Sequence, residues 1–270
     1  QGKLPKIAMF GGSVFLFPHP VKELAEFLKG HGMHINYDAA HVAGLIAGGK
    51  FQDPLREGTD TMTMSTHKTL FGPQGGLVLG SEEHAEPIKK AMFPGLTSSH
   101  HIHHMGAKAV AFAEALEFGK DYAEQTIKNA KMLASELNNV GFKVLGEKRG
   151  YTESHQTVVN VLDYGDGGTI EADLEKANII VNRQLIPGDL KASRHYMHPG
   201  GIRLGTSEIT RLGMKESEMK EIASLLKQVV VDKKDAGEIA VHVKEFKTDF
   251  KKTQYCFDNK LGAYEYVKLR

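Results

Sequence analysis

Between Ile7 and Leu79, short apolar runs alternate with helix-patterned stretches, and no other feature of the sequence narrows the fold as far. Ile7 to Phe10, His34 to Tyr37, Thr61 to Ser65 and Leu77 to Leu79 read as strands, separated by helical patterns at Val21 to Lys29 and Ala39 to Ala47. Such alternation predicts an α/β layer around a mostly parallel sheet. Ligands gather at the carboxyl ends of strands in such sheets, where loops and helix N-termini converge. The residues just after each strand therefore carry the functional argument.

From about Ser99 the pattern changes to long helices. Met105, Ala109, Phe112 and Leu116 fall on one helical face and Ile127, Ala130, Ala134 and Leu137 on another, with Gly141 as a C-cap. Strands are expected at Phe142 to Leu145, Thr157 to Val161, Ile179 to Val181 and Ile202 to Leu204, with helices near Ile170 to Lys176 and Ser217 to Val231. This predicts a small α+β domain over 119–270, after a larger α/β part over 1–118. A last amphipathic helix carries Ile239, Val243, Phe246 and Phe250, and the tail aromatics Tyr255, Phe257, Tyr264 and Tyr266 are expected to pack.

Composition excludes several classes. Lys plus Arg number 34 against 33 Asp plus Glu, so no broad nucleic-acid-binding field is expected. No apolar run approaches the roughly 20 residues of a membrane span, and mean hydropathy is −0.31. A lone cysteine, Cys256, fits a reducing compartment, and a cytoplasmic location is expected.

The most informative stretch is Met64-Ser65-Thr66-His67-Lys68-Thr69-Leu70-Phe71-Gly72-Pro73-Gln74-Gly75-Gly76. A strand ends, one lysine sits in a polar cluster, and a Gly/Pro-rich turn follows. A lysine that forms an imine must be held and partly deprotonated by desolvation or nearby charge, some of which His67 can supply. The plain alternative is a solvated loop lysine. Ser65-x-x-Lys68 also has the spacing of a serine acylase, but the S-D-N and K-T-G partners of that chemistry are missing. In Asp38-Ala39-Ala40-His41, Asp38 ends a strand and His41 falls in the first turn of the next helix. Asp38 either caps that helix or bonds a protonated ring nitrogen, and small Ala39 and Ala40 let a flat ring approach. Asp, His and Lys on successive strand ends point to a pyridoxal phosphate pocket.

Five blocks in order then resemble the serine hydroxymethyltransferase family: Asp38-Ala39-Ala40-His41-Val42-Ala43-Gly44-Leu45; Ser65-Thr66-His67-Lys68-Thr69-Leu70 with Gly72-Pro73 and Gly75-Gly76; Phe93-Pro94-Gly95; Ala107 to Phe112; and Gly201-Ile202-Arg203-Leu204-Gly205-Thr206. The resemblance implies a fold-type I pyridoxal phosphate enzyme of the aspartate-aminotransferase-like class, its large domain partial. It implies a homodimer or tetramer with sites at the subunit interface, interconverting serine and glycine with a tetrahydropterin carrier. By the same resemblance Lys68 carries the cofactor as an imine, Asp38 partners the pyridine nitrogen, and Ala40 packs on one ring face. Ser13 and His41 would bond the phenolic oxygen, Ser65 would sit near the reacting carbon, His67 near the phosphate, and Arg203 on the substrate carboxylate.

Three departures from the family pattern stand out. Ser98 and Ser99 replace two glycines that lend backbone donors to a neighbouring subunit's phosphate. Gln74 replaces an arginine. In Asn182-Arg183-Gln184, Gln184 stands where an asparagine contacts the pterin, which puts the carrier's identity in question. The family chain is longer at its N-terminal side, so weak cofactor binding and no serine–glycine exchange are expected if Gln1 is the true start. The alternatives are a pyridoxal phosphate aldolase or transaldolase acting on a β-hydroxy amino acid such as threonine, or a non-catalytic interaction subunit. His100, His101, His103 and His104 cluster at metal-compatible spacing, but no Cys or second His pair supports them and no metal is expected.

Overall fold

The computed structural model describes residues 4–258, 260, 262 and 263. Its contacts divide into two compact units, Gln1–Glu124 and Gln125–Arg270.

In the first unit, β1 (Ile7–Gly11), β2 (His34–Asp38), β3 (Thr61–Ser65) and β4 (Gly76–Gly80) form one sheet in that order. The first three strands run parallel and β4 returns antiparallel on β3, so the sheet is mostly parallel. Period-two alternation buries Ile35 and Tyr37 of β2 while His34, Asn36 and Asp38 stay half-buried. Helix α1 (Val21–Gly30) buries Val21 and Ala25 and places Glu23 in its first turn and Lys29 in its last, which suits the helix dipole. Next come α2 (Ala43–Ala47), α3 (Pro54–Glu57) and α4 (Ala85–Lys90). Asp53 caps α3 by accepting from the Arg56 amide, with Pro54 in the first turn.

The helical pattern at Ala39 starts later than its apolar run suggests. The Ala39 amide donates to the Thr63 carbonyl at 2.7 Å and the Ala40 amide to Asp38 Oδ1 at 2.9 Å, so the chain leaves β2 through a turn. His41 lies in that turn, ahead of α2.

The two helical faces predicted after Ser99 belong to one helix, α5 (Ile102–Asn139). Ala130, Leu133, Ala134 and Leu137 are buried, but Leu116 is 90% exposed and Met105 55%. Periodicity told which residues share a face and not what covers it.

In the second unit, β5 (Lys143–Val144), β6 (Gln156–Asn160), β7 (Asn182–Gln184) and β8 (Gly201–Gly205) form an antiparallel sheet in the order β5-β6-β8-β7. With α6 (Gly167–Lys176), α7 (Ser207–Arg211), α8 (Glu216–Val230) and α9 (Ala236–Phe246) it makes the expected α+β arrangement. Leu137, Val159, Ile170, Leu174, Ile202, Met219 and Leu226 form its core. The expected strand at Ile179 to Val181 forms three residues later, because Asn182, Arg183 and Gln184 face Arg203, Ile202 and Gly201. Among the tail aromatics Tyr255 is half-buried, Phe257 is 60% exposed against expectation, and Tyr264 and Tyr266 lie outside the described residues. No helix among the described residues is long and apolar enough to cross a membrane.

Candidate active site

Parallel pairing brings the carboxyl ends of three strands side by side. Gly11 pairs with Asp38, Asp38 pairs with Thr63, and Ser65 ends β3 two residues further on. Gly11 has φ +92°, and a Cβ there would collide with the Asp38 backbone, so this rung admits only glycine. Ser13 is exposed two residues beyond it. Asp38 does not cap α2, whose N-cap is Val42 without a side-chain bond. Its Oδ1 instead takes the Ala40 amide, a short turn that fixes the half-buried carboxylate; Ala40 and His41, next in the chain, are half-buried too.

The Lys68 loop is held from several sides. The Thr66 amide donates to the Gly75 carbonyl at 3.0 Å, the Gly72 amide to the Thr66 carbonyl at 2.6 Å, and Thr66 Oγ1 to the Pro73 carbonyl at 2.7 Å. Buried Thr69 joins this loop to the Asp38–His41 turn, since its Oγ1 accepts from the Gly44 amide at 3.0 Å and donates to the His41 carbonyl at 2.9 Å. Gly44 is needed for this approach, because a Cβ would overlap the Thr69 carbonyl. Lys68 is half-buried at the centre. His67 is exposed and its Nδ1 accepts from the Gly75 amide at 3.4 Å, while Lys108 Nζ of α5 reaches the Gly76 carbonyl at 3.4 Å.

Ser13, Asp38, Ala40, His41, Ser65, His67 and Lys68 therefore occupy the carboxyl ends of β1, β2 and β3 and the loops that follow them. Ser98 and Ser99 are exposed in the segment before α5, outside those loops. The rings of His101, His103 and His104 lie 4.4 to 5.6 Å apart, but no three metal-ligating side chains among the described residues come together to hold an ion.

Arg203 and Gln184 belong to the second unit. Arg203 lies on β8 between Val158 of β6 and Asn182 of β7, and its guanidinium donates to Asn182 Oδ1 at 3.1 Å. Burial lowers its pKa, with Tyr196 acting in the opposite direction. A half-buried guanidinium on a strand otherwise lined by buried Ile202 and Leu204 is suited to a carboxylate. Gln184 donates through Nε2 to the Leu185 carbonyl at 2.9 Å.

A family model for serine hydroxymethyltransferase matches residues 1–226. The chain belongs to the serine hydroxymethyltransferase family. Relatives named serine hydroxymethyltransferase include those of Nitrosopumilus maritimus, 77% identical over all of this chain and 61% of its own length, and Methanothermobacter marburgensis, 52% identical over 98% of this chain and 61% of its own. The chain thus spans about three-fifths of the curated relatives it matches. Among solved structures, L-threonine transaldolase from Pseudomonas fluorescens in its internal aldimine state is similar with a TM-score of 0.84 and 33% identity, covering 95% of this chain and 58% of that one.

In this serine hydroxymethyltransferase family chain, two contributors to the site carry no local signal in the sequence. Thr69 lies inside the T-H-K-T-L block, yet its link to Gly44 and His41 spans 25 and 28 residues and no local pattern announces it. Asn182 opens the Asn-Arg-Gln segment and orients Arg203, a contact that follows only from strand pairing.

Proposed function

We propose that the protein interconverts serine and glycine, using pyridoxal phosphate and a tetrahydropterin one-carbon carrier. The residues present fit the cofactor. Asp38 is fixed at a strand end by one oxygen, Ala40 beside it leaves room for a flat ring, and Lys68 is half-buried on the adjoining loop. Pyridoxal phosphate, when bound, supplies an electron sink that stabilises negative charge on the amino-acid α-carbon.

In this reading Lys68 Nζ would be the amine that holds the cofactor and would move a proton at the α-carbon. The Asp38 carboxylate holds a proton on the ring nitrogen through a charge-assisted bond. Ser13 and His41 would bond the ring's phenolic oxygen, Ser65 would sit near the reacting carbon, His67 would lie near the phosphate, and Ser98 and Ser99 would serve the phosphate held by a neighbouring subunit. Arg203, oriented by Asn182, takes the substrate carboxylate, a planar fork that lysine cannot copy. Gln184 would contact the pterin. A second copy of the chain is the proposed partner, giving a homodimer or tetramer, because Met92, Leu96, Ile102, Met105 and Leu116 present exposed apolar side chains in one stretch. A cytoplasmic location goes with the lone Cys256.

The single observation that carries the reading is the Thr69 link, which sets the Lys68 loop against the Asp38–His41 turn. The test is glycine formation from serine by the purified protein with and without tetrahydropterin. Pterin-dependent turnover that Lys68→Ala abolishes supports the proposal, and turnover surviving in Lys68→Ala overturns it. The likeness to L-threonine transaldolase, together with Gln184, favours one second reading, aldol cleavage of a β-hydroxy amino acid without a pterin. Pterin-independent threonine cleavage would decide for it.

A further inference from the structure

Beyond the carboxyl end of β1 lies a partly buried network that the proposed chemistry does not use. His19 Nδ1 accepts a hydrogen bond from the Gly11 amide at 3.1 Å. Since that amide is the donor, Nδ1 must present its lone pair, which makes the ring neutral with its proton on Nε2. The backbone of His19 is fastened independently. Gln52 Oε1 accepts from the His19 amide at 2.8 Å and from the Tyr37 hydroxyl at 2.7 Å, and Gln52 Nε2 donates to the His19 carbonyl at 3.0 Å and to Glu57 at 2.6 Å. Phe15 lies against the ring at 4.9 Å between centroids, with Tyr37 at 6.3 Å and Phe10 at 6.5 Å.

Acid therefore cannot release His19 from its seat, but it does reverse what Nδ1 offers. A protonated ring sets one N–H against another. The lost bond belongs to Gly11, which faces Asp38 across the β1–β2 rung and leads into Ser13.

We propose that His19 is a proton-sensitive positioning residue: its neutral ring holds the Gly11 amide, and through it the Gly11–Ser13 exit opposite Asp38. The cofactor half of this proposal rests on the function proposed above. The titratable groups facing the ring are Tyr37 from β2 and, through Gln52, Glu57 from α3. Burial pushes the Tyr37 phenol far up, helped by Glu57 and Asp38, so it stays a donor to Gln52. Burial lowers the pKa of His19 itself.

The sign follows from that direction. The opened state titrates near the ordinary histidine value of about 6.5 and the closed state lower, so acid favours opening between the two. Hydrogen exchange of the Gly11 amide in the full chain without cofactor, from pH 8 to pH 5, reads this directly. Its protection is expected to fall by up to about tenfold per pH unit below about pH 6.5, one proton being taken up on opening, and to level off once the closed state is itself protonated. His19→Asn places an amide oxygen where Nδ1 lies and does not titrate there, so the slope should vanish. Wild-type protection that does not change with pH, or the same slope in His19→Asn, overturns the proposal. Pyridoxal phosphate affinity on the same samples should weaken with acid more in wild type than in His19→Asn. Equal acid loss in both overturns the link to the cofactor, and a persistent slope with no cofactor binding in either overturns the proposed function while the His19 contact stands.

Discussion

Thr69→Val removes one oxygen and keeps the side-chain shape, so it isolates the link that sets Lys68 against the Asp38–His41 turn. Thr69 is 1% exposed, and its Oγ1 serves the Gly44 amide at 3.0 Å and the His41 carbonyl at 2.9 Å. Each buried backbone group deprived of its partner costs about 1–3 kcal/mol, so the pair comes to about 2–6 kcal/mol. With a urea slope of about 2 kcal/mol per M, the unfolding midpoint should drop by about 1–3 M, followed by far-ultraviolet circular dichroism. Thr69→Ser keeps both bonds and loses a methyl group, worth about 1 kcal/mol. Its midpoint should therefore fall much less. The two variants melting together would refute the reasoning, since the hydroxyl would then contribute nothing beyond packing.

Three further perturbations test other parts of the account. Gly44→Ala drives a Cβ into the Thr69 carbonyl and to 2.9 Å from the Leu70 amide, backbone atoms that cannot swing aside; a loss of about 3 kcal/mol or more is expected by thermal unfolding. Arg203→Lys gives up a planar fork, and at about 1.5–3 kcal/mol for a charge-assisted bond the serine KM should rise about 10- to 150-fold, with Asn182→Ala moving it in the same direction. Asp166 caps α6 through the Gly168 and Thr169 amides, so Asp166→Ala should cost about 1 kcal/mol at neutral pH. Burial alone would raise the Asp166 carboxyl, but donors from Thr169, His198 and Gly168 outweigh it and hold it below its ordinary value. The cap's contribution is then complete above the ordinary carboxylate range and lost as pH falls below it, so wild type and Asp166→Ala should converge in acid.

Much of this arrangement was legible because local chemistry wrote it. The strands ending at Asp38 and Ser65 are apolar runs that stop at polar residues, and sheets of this kind present their chemistry at those ends. Where the reading slipped, a non-local bond decided. Ala39 and Ala40 continue a helical pattern, but Thr63 and Asp38 take their amides and delay the helix. Ile179 to Val181 has strand composition, yet the ladder forms three residues later because Asn182 pairs with Arg203. The Met105–Leu116 face is amphipathic by spacing, while its exposure depends on what lies against it. His19 reads as a polar residue between two prolines; its partners, Gly11 and Gln52, are 8 and 33 residues away.

The central claim is that Lys68 is the amine that carries pyridoxal phosphate. Borohydride reduction of the protein with the cofactor, followed by peptide mapping, tests it most directly, because reduction fixes the cofactor on whichever amine holds it. The account predicts a single phosphopyridoxyl group on Lys68, absent in Lys68→Ala. A group on Lys108 instead, or labelling of wild type spread over exposed lysines and unchanged in Lys68→Ala, would contradict it.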